Sequence, residues 1–542
     1  MSGVRLLAVS FVVSASLLSS SGSIGGLAGP DVIEGLPIAS AGEATESDSQ
    51  VDFNGDGYAD LALTADDSYD DNGRGSGAVQ VLYGSSSGLR LAASQYWAAH
   101  DFPGVTRSFS VSSFGHALAS GDFDGDGFSD LAIGDSGADV GPVLRAGTVR
   151  IVYGSKRGLT VSRSQLLWPG TQGLLGSARE DGAFGRSLVA ANFGNGAQDD
   201  LAVGASSDVV HVIYGSRTGL TGPHNQIWSP ETPGVLGSGT EDFGASLAAG
   251  NFGKSQHADL AIGAPGADVV SHRGRFFMAG AVHVLYGTAS GLSANGNQLW
   301  TQDSKGIAGK VGEADEFGAS LAAAPFAGRR YDDLAIGAPN NGASGSKGGS
   351  GSVNVLYGSK QGLSRKGNQL WSQKSKGIDG KQKEGERFGQ ALAAANFGRD
   401  RHGRAYADLA VGVPSDAVGR KEQAGSVNLI FGSSGGLAAR HSRRVTEDSP
   451  GLRGAAGEFG WFGTALAAGN FGNNFNGGHY ADLAIRVEQN VIGDEMGTTS
   501  VSVIYGSRAG LSPARDQVWT AESFGRPFVI LPTNFGLALL SG

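Results

Sequence analysis

The chain of 542 residues contains no cysteine. A disulfide framework and any thiolate metal site are therefore excluded, and composition says nothing of redox compartment. Proline is sparse, 16 residues against 91 glycines, and no three-residue period accompanies the glycine, so the chain is not collagen-like. Positive charge is also short: 41 Lys and Arg face 51 Asp and Glu, for a formal net charge of −10. No cluster of Lys and Arg of the kind that holds phosphates is visible, and no nucleic-acid partner is expected. The mild basic enrichment between Lys347 and Arg444 reads as solvated loops. Long apolar runs are missing too. Past the N-terminus nothing approaches the roughly eighteen residues that a membrane helix needs, so the mature chain is expected to have no transmembrane helix.

The N-terminus is the exception. Arg5 precedes an apolar run from Leu6 to Leu18, and the small residues Ser19 to Gly26 follow. This is the layout of a secretory signal peptide. Residues 1–29 are read as that signal, with an approximate cleavage point, and 30–50 as a linker. The expected localisation is secreted, extracellular.

What the chain has in quantity is repetition, the first property to test because it decides the whole fold. Asp-Leu-Ala recurs at Asp60, Asp130, Asp200, Asp259, Asp333, Asp408 and Asp482. Each opens a short apolar run bounded by glycine, such as Leu260 to Pro265, and short apolar runs with glycine ends read as strands. A second strand ends in an aromatic-glycine pair, at Tyr83, Tyr153, Tyr214, Tyr286, Tyr357, Phe431 and Tyr505. After a Gly-Ser-x-x-Gly-Leu turn or a close variant, a third polar stretch ends in Trp97, Trp168, Trp228, Trp300, Trp371 or Trp519; the sixth unit has Arg444-Val445 there instead. The remaining strand begins with Phe-Gly, at Phe114, Phe184, Phe243, Phe317, Phe388 and Phe462, each with another Phe nine residues on. Four short strands per unit, repeated radially, predict an all-β fold: a seven-bladed β-propeller of four-stranded antiparallel blades over residues 51–542. The first unit lacks a Phe-Gly strand ahead of Asp52, whereas an extra Phe524-Gly525 stands near the C-terminus. Residues 524–538 are therefore the candidate for closing the first blade, with a frayed end as the alternative.

Phe243-Gly244 followed by Gly263-Ala264-Pro265, and Phe317-Gly318 followed by Gly337-Ala338-Pro339, resemble the FG-GAP repeats of the integrin α β-propeller. The wording of the repeats, as in Gly296 to Asp303, is similar to exported bacterial members of that family. No inserted ligand-binding domain interrupts the units, so integrin-style signalling does not carry over. The resemblance implies a calcium site between the Phe-Gly and Asp-Leu-Ala strands. In the first unit that stretch supplies Asp52, Asn54, Asp56, the carbonyl of Tyr58, and Asp60; in the second, Asp122, Asp124, Asp126, the carbonyl of Phe128, and Asp130. Calcium takes about six to eight hard oxygen ligands, and Asp or Asn at alternate positions offers them. The competing reading is an acidic turn without metal, since Asp, Asn and Gly dominate turns in any case. The other units keep the last Asp but lose the cage: Asn192, Gly194 and Gly196 in the third, Asn251, Gly253 and Ser255 in the fourth, Pro325, Ala327 and Arg329 in the fifth. Two calcium sites are expected.

No catalytic signature survives scrutiny. Gly84-Ser-Ser86-Ser-Gly88 fits G-x-S-x-G but is the repeat's own turn and opens no helix. The ten His show no zinc-ligand spacing. The chain is expected not to be an enzyme but a monomeric recognition or adhesion module for an extracellular protein or carbohydrate ligand. A phospholipase-like hydrolase on a propeller scaffold and a structural envelope or matrix component are the alternatives. The connectors from Trp to Phe-Gly share a face with the Gly-Ala-Pro loops, a place for recognition or for unconstrained solvent loops.

Overall fold

The computed structural model describes residues 51–65, 77–102, 113–206, 208–237, 241–342, 348–398, 406–473, 480–492, 495–524 and 539–540, without the side chains of 489–498 and 539–540. The proposed signal peptide and linker lie outside the described residues. Seven four-stranded antiparallel sheets form the blades of a propeller, as the repeat predicts. The second blade is typical: Phe114–Gly121, Asp130–Asp135, Thr148–Tyr153 and Thr160–Leu167 pair in chain order. The fourth blade carries an additional hairpin, Val269–Ser271 with Gly274–Phe276, between its second and third strands.

The strands are short and buried on both sides because each blade is sandwiched between two others. Asp259–Ala264 and Ser352–Tyr357, for example, are buried at every position. Seven large apolar clusters result, one per seam. The cluster between the first two blades joins Val79, Val81 and Trp97 to Phe114, Leu118 and Ile133.

The repeat's glycines explain how closely blades approach. In most blades the Phe-Gly pair stands ahead of the first strand rather than inside it, as in the fourth blade, whose first strand is Ser246–Gly250. The reason is the backbone: Gly244 has φ +87° and its N–H donates to the Gly263 carbonyl at 2.9 Å. Gly263 in turn faces the backbone of Gly318 in the next blade so closely that a Cβ there would strike its carbonyl. Phe-Gly of one blade and Gly-Ala-Pro of its neighbour are thus two halves of one backbone crossing.

Polar groups bind the seams as well. The residue before each Asp-Leu-Ala donates its N–H to the carbonyl of the first loop residue in the preceding blade, from Ser129 to Asp52 (3.1 Å) round to Ala59 and Asn470 (2.8 Å). The repeat tyrosine adds a clasp: Tyr286 Oη bonds Gln298 in its own blade and accepts the Leu363 N–H of the next at 3.1 Å, while Gln298 Nε2 donates to the Leu363 carbonyl at 3.0 Å.

The first blade takes its first strand from the far end of the chain. Leu539–Leu540 pairs antiparallel with Leu61–Ala65, placing Leu540 opposite Ala62 and Leu539 opposite Leu63. Residues 525–538, most of the stretch expected to close the ring, lie outside the described residues. Phe524 lies in a 3-10 turn, Ala521–Phe524, stacked on Trp519 with ring centroids 5.8 Å apart. The seam between last and first blades also carries the clasp, with Tyr505 Oη accepting the Leu89 N–H at 3.2 Å.

Candidate metal centre

Both acidic loops lead into the Asp-Leu-Ala strand of a blade, the second from Phe114–Gly121 and the first from the start of the described chain, and both are shaped by their first aspartate. Asp122 Oδ1 accepts the N–H groups of Gly125 (2.7 Å) and Asp126 (3.0 Å), and its Oδ2 accepts Gly127 (3.0 Å). Asp52 does the same for Asn54, Gly55, Asp56 and Gly57 at 2.6–3.2 Å. Such tight wrapping needs left-handed backbone, which Gly125 (φ +73°) and Gly127 (φ +88°) supply. In each loop the fifth residue accepts the N–H of the seventh: Asp56 from Tyr58 and Asp126 from Phe128, both at 3.1 Å.

The last aspartate has a second function that sequence reasoning missed. Asp130 Oδ2 accepts the Phe123 N–H (2.8 Å) and its Oδ1 the Gly154 N–H (2.9 Å), tying the loop to the end of the third strand. Asp60 makes the same pair with Phe53 and Gly84. So does Asp259, with Phe252 and Gly287, although its loop has no cage. The signal was present in the sequence, since Asp-Leu-Ala survives in all units where the other acidic positions do not.

In the second loop the carboxylates of Asp122, Asp124 and Asp130 come together, with one oxygen of each within 4.8 Å of the others. Asp126 is exposed and stands outside that group. In the first loop Asn54 replaces the second carboxylate, so three acidic groups do not converge there in the same way. Burial pushes Asp60 and Asp130 up to about 8, with the neighbouring carboxylates adding to the shift. Asp259, with no second carboxylate in its loop, is also pushed to about 8, so burial dominates. Asp126 is raised by burial and then by Asp124 and Asp122.

The donors gathered here are all oxygens, which suits a hard cation. Two hydrogen bonds leave an ionised carboxylate such as Asp130 with acceptor capacity on each oxygen. The two loops are neighbours: the Phe128 ring packs over Gly55, and Asp52 accepts from and donates to Ser129. Cations occupy nearby positions. Arg163, from the outer strand of the second blade, donates to Asp124 Oδ2 at 2.7 Å, and Arg90 stands 3.8 Å from Asp56. Neither contact was foreseeable, because 39 residues separate Arg163 from Asp124. Among the described residues no helix is long and apolar enough to cross a membrane.

A family model of the FG-GAP repeat matches residues 45–82 and 114–152, the segments that hold the two acidic loops. Phosphatidylinositol-glycan-specific phospholipase D of Rattus norvegicus is 33% identical over 247 residues, 44% of this chain and 26% of that protein. Integrin alpha-PS5 of Drosophila melanogaster is 39% identical over 125 residues, 22% of this chain and 12% of that protein. Integrin alpha-6 of Gallus gallus is 31% identical over 177 residues, 30% of this chain and 15% of that protein. The match spans about a quarter or less of the length of these curated relatives.

Proposed function

From the premise that the chain is an integrin-α-like FG-GAP propeller, we propose that it is a secreted, calcium-binding recognition module that presents one face of the ring to an extracellular protein or carbohydrate. The observation that carries the recognition reading is the placement of exposed apolar side chains. In a four-stranded blade the connections from second to third strand and from fourth strand to next blade leave one face. Leu175, Leu236, Val270, Phe277, Met278 and Phe459 are exposed, at 43–79%, and all lie in those connections. Leu91, on an outer strand, is the other large apolar side chain of this kind among the described residues. Apolar exposure gathered on one side of a rigid scaffold is the mark of an interaction surface.

Calcium belongs on the opposite face. Asp122, Asp124, Asp126, Asp130 and the Phe128 carbonyl would hold one ion; Asp52, Asn54, Asp56, Asp60 and the Tyr58 carbonyl would hold the other. The ion would supply the countercharge that lets clustered carboxylates stay ionised, and would stabilise the fold by mass action. Calorimetric titration is expected to give two ions per chain, and excess chelator to lower the melting temperature. Uptake of no ions, or an unchanged melt in chelator, would remove the metal reading. Glycan-array and cell-wall pull-down experiments with Phe277→Ser and Phe459→Ser variants test the binding face, which should lose capture without losing stability. A hydrolase reading rests on the similarity to the phospholipase D; turnover of a phosphatidylinositol-glycan substrate by the purified chain would favour it.

A further inference from the structure

The repeat tyrosine carries a cation above its ring in three blades. Lys254 Nζ stands 3.7 Å from the Tyr286 ring centre, and the guanidinium of Arg329 5.2 Å from Tyr357. Both come from loops that have lost the acidic cage. In the second blade the cation is Arg163, 5.0 Å from the Tyr153 ring. It arrives from the outer strand, Thr160–Leu167, rather than from the loop. Three cations from different points of the sequence thus converge on one position in the fold.

Only Arg163 meets an intact cage there. We propose that Arg163 competes with the second loop's calcium ion for its carboxylates, holding the loop together when calcium is absent and lowering the affinity of that site; this rests on the calcium reading above. The Asp124 side chain is 3% exposed, so its carboxylate needs a positive partner, and Arg163 provides it through a direct hydrogen bond. A divalent ion among Asp122, Asp124 and Asp130 would meet the guanidinium as a like charge. The Arg163 side chain is 54% exposed and has open solvent to swing into. The first loop has no equal competitor: Arg90 approaches Asp56 only to 3.8 Å, and Asp56 is itself 34% exposed. The second loop, with the richer carboxylate set, is therefore restrained by its own arginine.

The test uses the full chain with the first loop silenced by Asp52→Asn and Asp56→Asn, so that calorimetry reads the second loop alone. Arg163→Gln is expected to tighten calcium about tenfold, the order for removing a unit charge several ångströms from a divalent ion in partly solvated surroundings. Arg163→Lys should stay near the parent. In chelator, Arg163→Gln should melt below the parent, the opposite sign to its effect on affinity, which a simple packing role would not give. Equal affinities for parent and Arg163→Gln would overturn the competition while leaving the calcium site standing. A silenced parent that takes up no calcium at all would defeat the calcium reading at this loop and the competition with it. If the silenced chain does not fold, the comparison is made on the otherwise unaltered chain. There the two-site titration should show one site unmoved by Arg163→Gln and one tightened; two unmoved sites would sink the proposal.

Discussion

The third strand of each blade carries a buried polar side chain three residues before its terminal aromatic, and the choice of residue sets a pH response. In the third and fourth blades it is His211 and His283, 5% and 1% exposed and edge-on to Phe184 and Phe243 at 5.2 and 5.1 Å. Neither ring nitrogen of His283 has a hydrogen-bond partner. Burial pushes both imidazoles down from 6.5 to about 4. The folded state therefore binds fewer protons than the unfolded one between those values, and stability falls as pH drops through that window, by up to ~1.4 kcal/mol per pH unit per histidine. Above 6.5 both states are neutral and the effect vanishes. In the next two blades the equivalent Asn354 and Asn428 donate to the Ala308 and Asp379 carbonyls at 2.7 and 2.8 Å. Replacing His211 and His283 by Asn is accordingly expected to flatten the loss of melting temperature between pH 7 and 4, while leaving it little changed at pH 8. Parallel melting curves against pH for the variant and the parent would refute this.

Among elements, the seam between blades is the unit of stability, and the seams are unequal. Five other tyrosines repeat the Tyr286–Gln298 pairing with a glutamine twelve residues on, as in Tyr214 with Gln226 and Tyr357 with Gln369 (both 2.6 Å). The sixth blade has Phe431 at that position and Arg443 opposite Leu429 where the others have glutamine. It also has Val445 where Trp371 stands in the fifth, so its outer edge contributes least to the next blade. Tyr286→Phe, which leaves Gln298 and the Leu363 N–H without their hydroxyl, should cost about 1–2 kcal/mol. Phe431→Tyr with Arg443→Gln should gain ~1 kcal/mol at the sixth seam, while either change alone does little; denaturant melts of the four proteins decide it. The aromatic positions of this clasp were legible in the sequence, because Tyr-Gly recurs in register. The partner glutamine recurs just as regularly, but its reason is visible only once the neighbouring blade is in place. Phe-Gly and Gly-Ala-Pro were legible as punctuation in the same sense, whereas their crossing between blades was not. Asp130 was legible as a metal ligand and illegible as a backbone tie, since the N–H groups of Phe123 and Gly154 give no sequence signal.

For the whole molecule the decisive question is how a chain of repeats becomes a ring. A hydrophobic seam exists only between two blades, so an open array would expose one seam's worth of apolar surface at each end and a bare strand edge beside it. Here the last seam is made by Tyr505, Trp519 and Phe471 against Leu61, Leu63 and Leu82. It is completed by Leu539–Leu540 on the free edge of Leu61–Ala65. That strand is preceded in the sequence by its own Phe-Gly flag, Phe535-Gly536, which stands ahead of Leu539 as Phe114-Gly115 stands ahead of Leu118. The earlier Phe-Gly pair of the tail, at Phe524, instead stacks on Trp519 in a turn. Among the described residues, closure rests on the Leu539–Leu540 pairing and on the seam beneath it. Removing residues 525–542 takes away the pairing strand but leaves Tyr505 and its clasp with Leu89. If the strand closes the ring, the truncated chain should melt several degrees lower, and its exposed edge should drive concentration-dependent association through Leu61–Ala65. Substituting lysine at Leu63 in the truncated chain tests nothing, because Leu63 is buried in the seam. The informative comparison is hydrogen exchange at those Leu61–Ala65 amides that point toward Leu539–Leu540 rather than toward Ala78–Tyr83, protected in the full chain and open in the truncated one. Equal protection in both would mean that the seam alone closes the propeller.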